Sequence, residues 1–215
     1  MRNFGVKDLI LVAPKASLEE ARPFAAQGVE VLERARLARL EEVREDYDLM
    51  VATSAIATAS GKLRRQAVTP RRLLEMLEGR KLALCLVFGR DTTGLTRQEL
   101  ELCDLLLHIP TGTDYPTLNL SHAVAIVLYE LSGASRRRAR GLGLAPRAHR
   151  ERILAGFMEL AEAVGFPAQK REVLRRAIKG VLARSLPTRR EATLILGLTR
   201  KIRLALERAQ ARSSR

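Results

Sequence analysis

Residues 82–110 read LALCLVFGRDTTGLTRQELELCDLLLHIP. Two near-continuous apolar runs, Leu82–Gly89 and Leu105–Pro110, enclose a Gly- and Thr-rich turn and a helical pattern over Thr96–Cys103. A strand with one wet face alternates apolar and polar residues, whereas a run without alternation is buried on both faces. Strands joined by helices make crossovers, so the pattern predicts a parallel sheet covered by helices.

Upstream of this unit, Leu9–Pro14, Val29–Leu32 and Leu49–Ala55 read as further buried strands. Leu18–Gln27, Glu33–Glu45 and Pro70–Glu78 read as helices or helical turns between them. Downstream, Asn119–Leu131 predicts a long apolar helix, with Asn119 or Thr117 as its cap. The opening MRNFG fits two descriptions, the last turn of a helix closed by Gly5 or an ordinary frayed terminus. Residues 132–146, SGASRRRARGLGLAP, are rich in Gly, Arg and Ser, and a linker is expected there, at 136–146. Helical patterns then cover Arg147–Val164, Pro167–Arg184 and Pro187–Ala211, with Ile153, Phe157, Leu160 and Val164 at helical spacing. The expected organisation is an α/β domain over 1–135 followed by a small all-α domain over 147–215.

Charge divides along the same line. Residues 1–135 carry 17 Lys/Arg against 18 Asp/Glu, while residues 136–215 carry 21 against 6. The net charge of +14 therefore comes from the tail alone. Codon bias towards Arg would raise both parts, so the asymmetry points to a polyanion-binding appendage, with nucleic acid the leading partner. No uncharged apolar run reaches the length of a membrane span, and MRNFGVKD has no signal-peptide core, so a cytoplasmic protein without a membrane partner is expected. Cys85 and Cys103 lack CxxC spacing and sit among apolar residues, which predicts two buried reduced thiols.

Ligands of open α/β sheets bind beyond the carboxyl ends of the strands. Three small, polar segments follow such ends: Thr53-Ser54-Ala55, then Phe88–Leu95, then Ile109–Asn119. Gly89 would let a ligand approach the backbone, and Gly94 suits a tight turn. The chain has no GxGxxG after its first strand, no GxxxxGK[ST] and no GxSxG, which speaks against dinucleotide, P-loop and hydrolase sites. His108, His122 and His149 have no ligand spacing, so no metal is expected.

Two of these stretches carry a resemblance to a known family. LVFGRDTTGLTRQELELCD at 86–104 and HIPTGTDYPTLNLSHAVAIVLYEL at 108–131 resemble the second and third motifs of the SpoU class of SPOUT RNA methyltransferases. The tail, with GFP at 165–167, LRRAIKGVLAR at 174–184 and EATLILGLTRKI at 191–202, is similar to the helical extension of the TrmJ group, which methylates tRNA ribose in the anticodon loop. The resemblance implies a parallel sheet ending in a deep trefoil knot, an exception to the rule against threading. It also implies a homodimer formed through the knot, S-adenosylmethionine as cofactor, and tRNA, or alternatively rRNA, as substrate. By family position, Thr53, Ser54, Ala55, Gly89, Ile109, Pro116, Thr117 and Leu118 would line the cofactor pocket. Arg90, Asn119 and Ser121 are the implied catalytic residues, with Thr111 as a support and a surface ion pair as the plain alternative for Arg90. Where the family commonly has Glu after Gly-Arg, this chain has Asp91. The family's first motif, with an Asn and an Arg credited with catalysis, is expected just before Met1. An RNA-binding module without turnover is therefore the competing class.

Overall fold

The structure, a computed structural model, describes residues 1–55, 67–132 and 142–213. They fall into two compact units, the first holding 1–55, 67–78 and 83–132, the second 79–82 and 142–213.

The first unit opens with a 3-10 turn at Arg2–Phe4 that Gly5 closes at φ 72°, donating its N–H to Arg2 O. Of the two descriptions of MRNFG, this is the glycine-closed turn. Strand β1 (Ile10–Leu11) runs parallel to β2 (Arg36–Leu37). Between them, α1 (Leu18–Ala25) starts at a reciprocal capping box of Ser17 and Glu20, and α2 (Val29–Glu33) follows.

Two sequence expectations fail in this stretch. Val29–Leu32 was expected as a strand and is helical, because Val29 and Leu32, three apart, are half-buried while Glu30 between them is exposed. Four residues satisfy either periodicity, and here the helical one wins. Glu33–Glu45 was expected as a helix and is interrupted by β2. Arg36 and Ala38 donate their N–H groups to Leu9 O and Leu11 O, at 2.9 and 3.2 Å, so tertiary pairing overrides local propensity. Helix resumes as α3 (Leu40–Asp46), whose Leu40 and Val43 are buried.

The sheet that positions the site is three-stranded and parallel, with β3 (Leu49–Thr53) between β5 (Leu84–Val87) and β6 (Leu105–Leu107). Thr69 caps α4 (Pro70–Leu77), with Pro70 in the first turn where its missing N–H costs nothing. Thr96 and Glu99 form the capping box of α5 (Arg97–Leu102), which joins β5 to β6. Two carboxylates lock the register at the strand entrances. Asp48 accepts from Ala83 N–H and donates its own N–H to Ala83 O, both at 2.9 Å, while Asp104 makes the same exchange with Met50 at 2.9 Å. On one face Met50 and Ala52 pack with Leu40, Val43, Val87, Cys103 and Leu106. Leu49 and Val51 are fully buried as well, as are Leu73 of α4 and Val127 of α6 (Leu120–Ser132), and α4 packs on α6. Both cysteines are reduced thiols; Cys103 is buried and donates to Glu99 O at 3.4 Å, whereas Cys85, expected to be buried, is half-buried.

In the second unit, β4 (Arg80–Lys81) pairs in parallel with β7 (Leu142–Gly143). Three helices follow: α7 (Arg147–Ala163), α8 (Ala168–Ser185) and α9 (Arg189–Ser213). Ala145, Ile153, Leu182 and Ala192 form their core. Gly156 of α7 lies against Thr199 of α9, and Arg203 pairs with Glu159 at 2.9 Å. Of the expected linker, 136–141 lies outside the described residues, whereas 142–146 is placed, with Ala145 buried and its N–H on Pro187 O at 2.8 Å. No described helix is long and apolar enough to cross a membrane.

Leu107 is fully buried on β6. Leu107→Ala is expected to destabilise the protein by about 2–5 kcal/mol, from lost transfer energy and the cavity left behind. Urea unfolding checks it, and a loss near zero would mean this strand is not core.

Candidate active site

The three strand ends meet at one edge of the sheet. Thr53, the last residue of β3, donates its Oγ1 hydrogen to Val87 O at 3.1 Å. Ser54 donates its N–H to Leu107 O at 3.0 Å, and His108 Nδ1 lies 3.2 Å from Ser54 O. Thr53 and Ser54 therefore bridge the ends of β5 and β6. With Ala55 and Gly89 they form a half-buried rim of small residues.

After β5 the chain turns sharply. Arg90 and Gly94 exchange backbone hydrogen bonds, at 2.8 and 3.3 Å. A Cβ on Gly89 would lie 2.4 Å from the carbonyl carbon of Gly94, so this glycine is required by the turn itself. Gly94 takes φ 65°, which L side chains adopt at a cost. Arg90 reaches forward and grips Glu99 with both terminal nitrogens, Nη1 to Oε2 at 3.0 Å and Nη2 to Oε1 at 2.9 Å. Glu99 Oε2 also accepts the N–H of Thr96 at 2.7 Å. The Arg90 guanidinium, with help from Thr96, lowers the Glu99 carboxyl from 4.5 to about 2, against the opposing effect of burial. The Arg90 guanidinium is thus engaged in fixing its own loop, the surface-ion-pair alternative noted for it.

The segment from β6 to α6 follows the third strand end. Ile109, Thr111, Pro116 and Leu118 are half-buried on it and Thr117 is exposed. Gly112 turns the chain at φ 70°, and Thr113 Oγ1 donates to Tyr115 O at 3.1 Å. Asn119 caps α6, its Oδ1 accepting from Ser121 N–H at 2.9 Å and from Ser121 Oγ at 2.7 Å. Asp91 Oδ1 accepts the N–H of Leu120, the first residue of α6, at 3.2 Å. An open cleft of about 650 Å³ lies at the start of α6, and Thr53, Ser54, Ala55, Gly89, Ile109, Pro116, Thr117 and Leu118 are not among its lining residues. Asn3, Asp91, Asn119 and Ser121 are its polar residues, and Met1, Phe4, Leu120, Val124 and Ala125 its apolar ones.

Asn119 and Ser121 therefore share one cleft, and Thr53 and Ser54 share the sheet edge. Sequence reasoning missed Glu99 as the partner of Arg90, and gave Asp91 no role. Glu99 had a signal, since Thr96-x-x-Glu99 is a capping-box spacing. Asp91 was marked only as the acidic position of a resembling motif, and its partner, 29 residues away, was not marked at all. Among the described residues no cluster of His, Cys, Asp and Glu could hold a metal ion.

A parallel α/β sheet with polar loops gathered at its carboxyl edge defines the class of open-sheet folds whose ligands bind at that edge. Comparison with known proteins makes it specific: residues 1–129 match the SpoU rRNA Methylase family, and the chain belongs to that family. It is 42% identical over 133 residues to the tRNA (cytidine-2'-O-)-methyltransferase TrmJ of Sulfolobus acidocaldarius, covering 61% of this chain and 56% of that one. The TrmJ of Methanocaldococcus jannaschii is 38% identical, covering 61% and 58%. The chain thus spans a little over half the length of these curated relatives. Among solved structures, TrmJ from Z. mobilis shares the fold with a TM-score of 0.66 at 24% identity, covering 94% of this chain and 90% of that one. A probable methylase family protein from Haemophilus influenzae gives 0.61 at 26% identity, covering 99% and 89%.

Two outcomes test the loop. Gly89→Ala should cost about 3 kcal/mol, because the clash is with backbone and cannot be relieved by a rotamer; unchanged urea stability would refute the contact. Glu99 is held below its ordinary 4.5, so its stabilisation is complete above that value and disappears as pH falls towards about 2. The stability gap between wild type and Glu99→Gln should be constant from neutral pH down to about 5 and narrow below it. Unfolding curves at a series of pH values read this, and a gap that stayed constant into acid would assign the stabilisation to something else.

Proposed function

We propose that this chain is an S-adenosylmethionine-dependent ribose 2′-O-methyltransferase acting on tRNA. The observation that carries the proposal is the cleft of Asn119, Ser121 and Asp91 beside the carboxyl edge of the sheet, in a chain of the SpoU family. The tRNA specificity for which the TrmJ relatives are named favours tRNA over rRNA as the substrate class.

The residues at the sheet edge fit the cofactor. Thr53, Ser54 and Ala55 are small and half-buried, which leaves backbone within a ligand's reach, and Ile109 and Leu118 offer apolar surface. These residues, with Pro116 and Thr117, would hold it. S-adenosylmethionine, when bound, supplies an electrophilic methyl group on a sulfonium. The chain's own task is then orientation, which is worth several kcal/mol in a reaction between two held groups. Asn119 Oδ1 is occupied by Ser121, while its amide nitrogen retains two donors for a ribose oxygen. The Ser121 hydroxyl, donating to Asn119, keeps lone pairs that can accept from the ribose 2′-hydroxyl.

The trefoil knot, the homodimer and a cytoplasmic location belong to the same proposal. Likeness in fold to the TrmJ structure supports the knot. Exposed Ile126 and Tyr129 on α6 offer apolar surface for a second copy. The tail is proposed to grip the RNA, since 21 of the 38 Lys/Arg lie within 136–215.

The test is transfer of labelled methyl from S-adenosylmethionine to unmodified tRNA, with the 2′-O-methyl nucleoside identified after digestion. Binding of tRNA without transfer would favour the RNA-binding module instead. Affinity for tRNA should fall roughly 10³-fold between about 50 and 200 mM salt, as several phosphate contacts release counterions. A flat salt response would remove the tail's proposed role.

A further inference from the structure

We infer that Asp91 is a positioning residue, which holds the first turn of α6 against the Gly89–Leu95 loop and so sets Asn119 and Ser121 in the cleft. The inference rests on the methyl-transfer function proposed above. The first N–H groups of a helix have no partner within it. Asn119 satisfies that of Ser121 from within the same segment, at 2.9 Å. The N–H of Leu120 is satisfied from outside, by the Asp91 carboxylate at 3.2 Å. A negative charge at this end also meets the positive pole of a 13-residue helix.

A tether positions only if its own base is fixed, and two neighbours fix this one. Gly89 is packed on the Gly94 backbone too closely to admit a Cβ, and Arg90 is held by Glu99 through two hydrogen bonds. Asp91 follows Arg90 directly and Gly89 by two residues, and it borders the cleft with Asn119 and Ser121. A carboxylate beside a candidate ribose site could equally serve as a base. The geometry points to the other role, because its Oδ1 is already an acceptor for backbone.

Substitution separates the roles. Asn keeps an acceptor oxygen and loses basicity, whereas Ala loses both. In the full chain, Asp91→Ala should speed hydrogen exchange at the Leu120 amide about tenfold and lower kcat about tenfold, with KM for S-adenosylmethionine changed less than about threefold. Asp91→Asn should restore both quantities to within about threefold of wild type. If Asp91→Asn protects Leu120 yet has the low kcat of Asp91→Ala, the carboxylate acts as a base and the inference is overturned. Wild-type kcat and exchange in Asp91→Ala overturn it as well, as does a kcat loss that only tracks a lowered Tm. A wild-type chain that transfers no methyl group overturns the function proposed above and the catalytic consequence with it, while exchange at Leu120 still decides whether the tether exists.

Discussion

Strand β3 has four consecutive residues, Leu49 to Ala52, with no access to water, so each of their backbone groups needs a partner inside the protein. Strand β5 supplies one side and β6 the other, and the Asp48 and Asp104 exchanges extend the pairing to the strand entrances. Because both neighbours must run parallel to β3, each connection has to travel back outside the sheet. All three strands then finish at the same edge. The polar loops are collected there by the demand of one buried strand, before any ligand enters the account.

The loop after β5 shows how a segment with polar, chemically suggestive residues can be mostly structural. Gly89 is forced by contact with Gly94, and Arg90 is committed to Glu99. The Cα face of Gly89 and the terminal nitrogens of Arg90 are thus used inside the protein. What faces the cleft from this loop is Asp91, and what faces it from α6 is Asn119 and Ser121. Rigidity in the first group is what gives position to the second, consistent with sites being most defined when their supports are packed.

Legibility in the sequence followed the range of the interactions. Strands β3, β5 and β6 were readable because burial on both faces leaves long apolar runs, and α6 to α9 because their periodicity continues over many residues. The capping of α6 by Asn119 was readable because the cap is adjacent to what it caps. Val29–Leu32 was misread because four residues cannot separate a period of two from one of 3.6. β2 was missed inside Glu33–Glu45 because its cause, the carbonyls of Leu9 and Leu11, is more than twenty residues away. Asp91 belongs to the same class: its partner is set by the fold and leaves no local mark. The motifs drew attention to the segments after β5 and β6, but which of their side chains are tied to one another was visible only in three dimensions.

The small strand β4 bears on how such a chain could be assembled. Arg80–Lys81 pairs with Leu142–Gly143 and Arg80 donates to Leu186 O, so four residues lying between α4 and β5 count with the helices of the second unit. A module joined by simple fusion needs nothing from its host beyond a joint. This one completes itself with a piece of the host's own sequence, so a fragment ending at residue 135 would keep β4 and lose its partner. Grafting these helices onto another member of the family would have to carry residues 79–82 along, since the second unit draws on two separate stretches of the sequence.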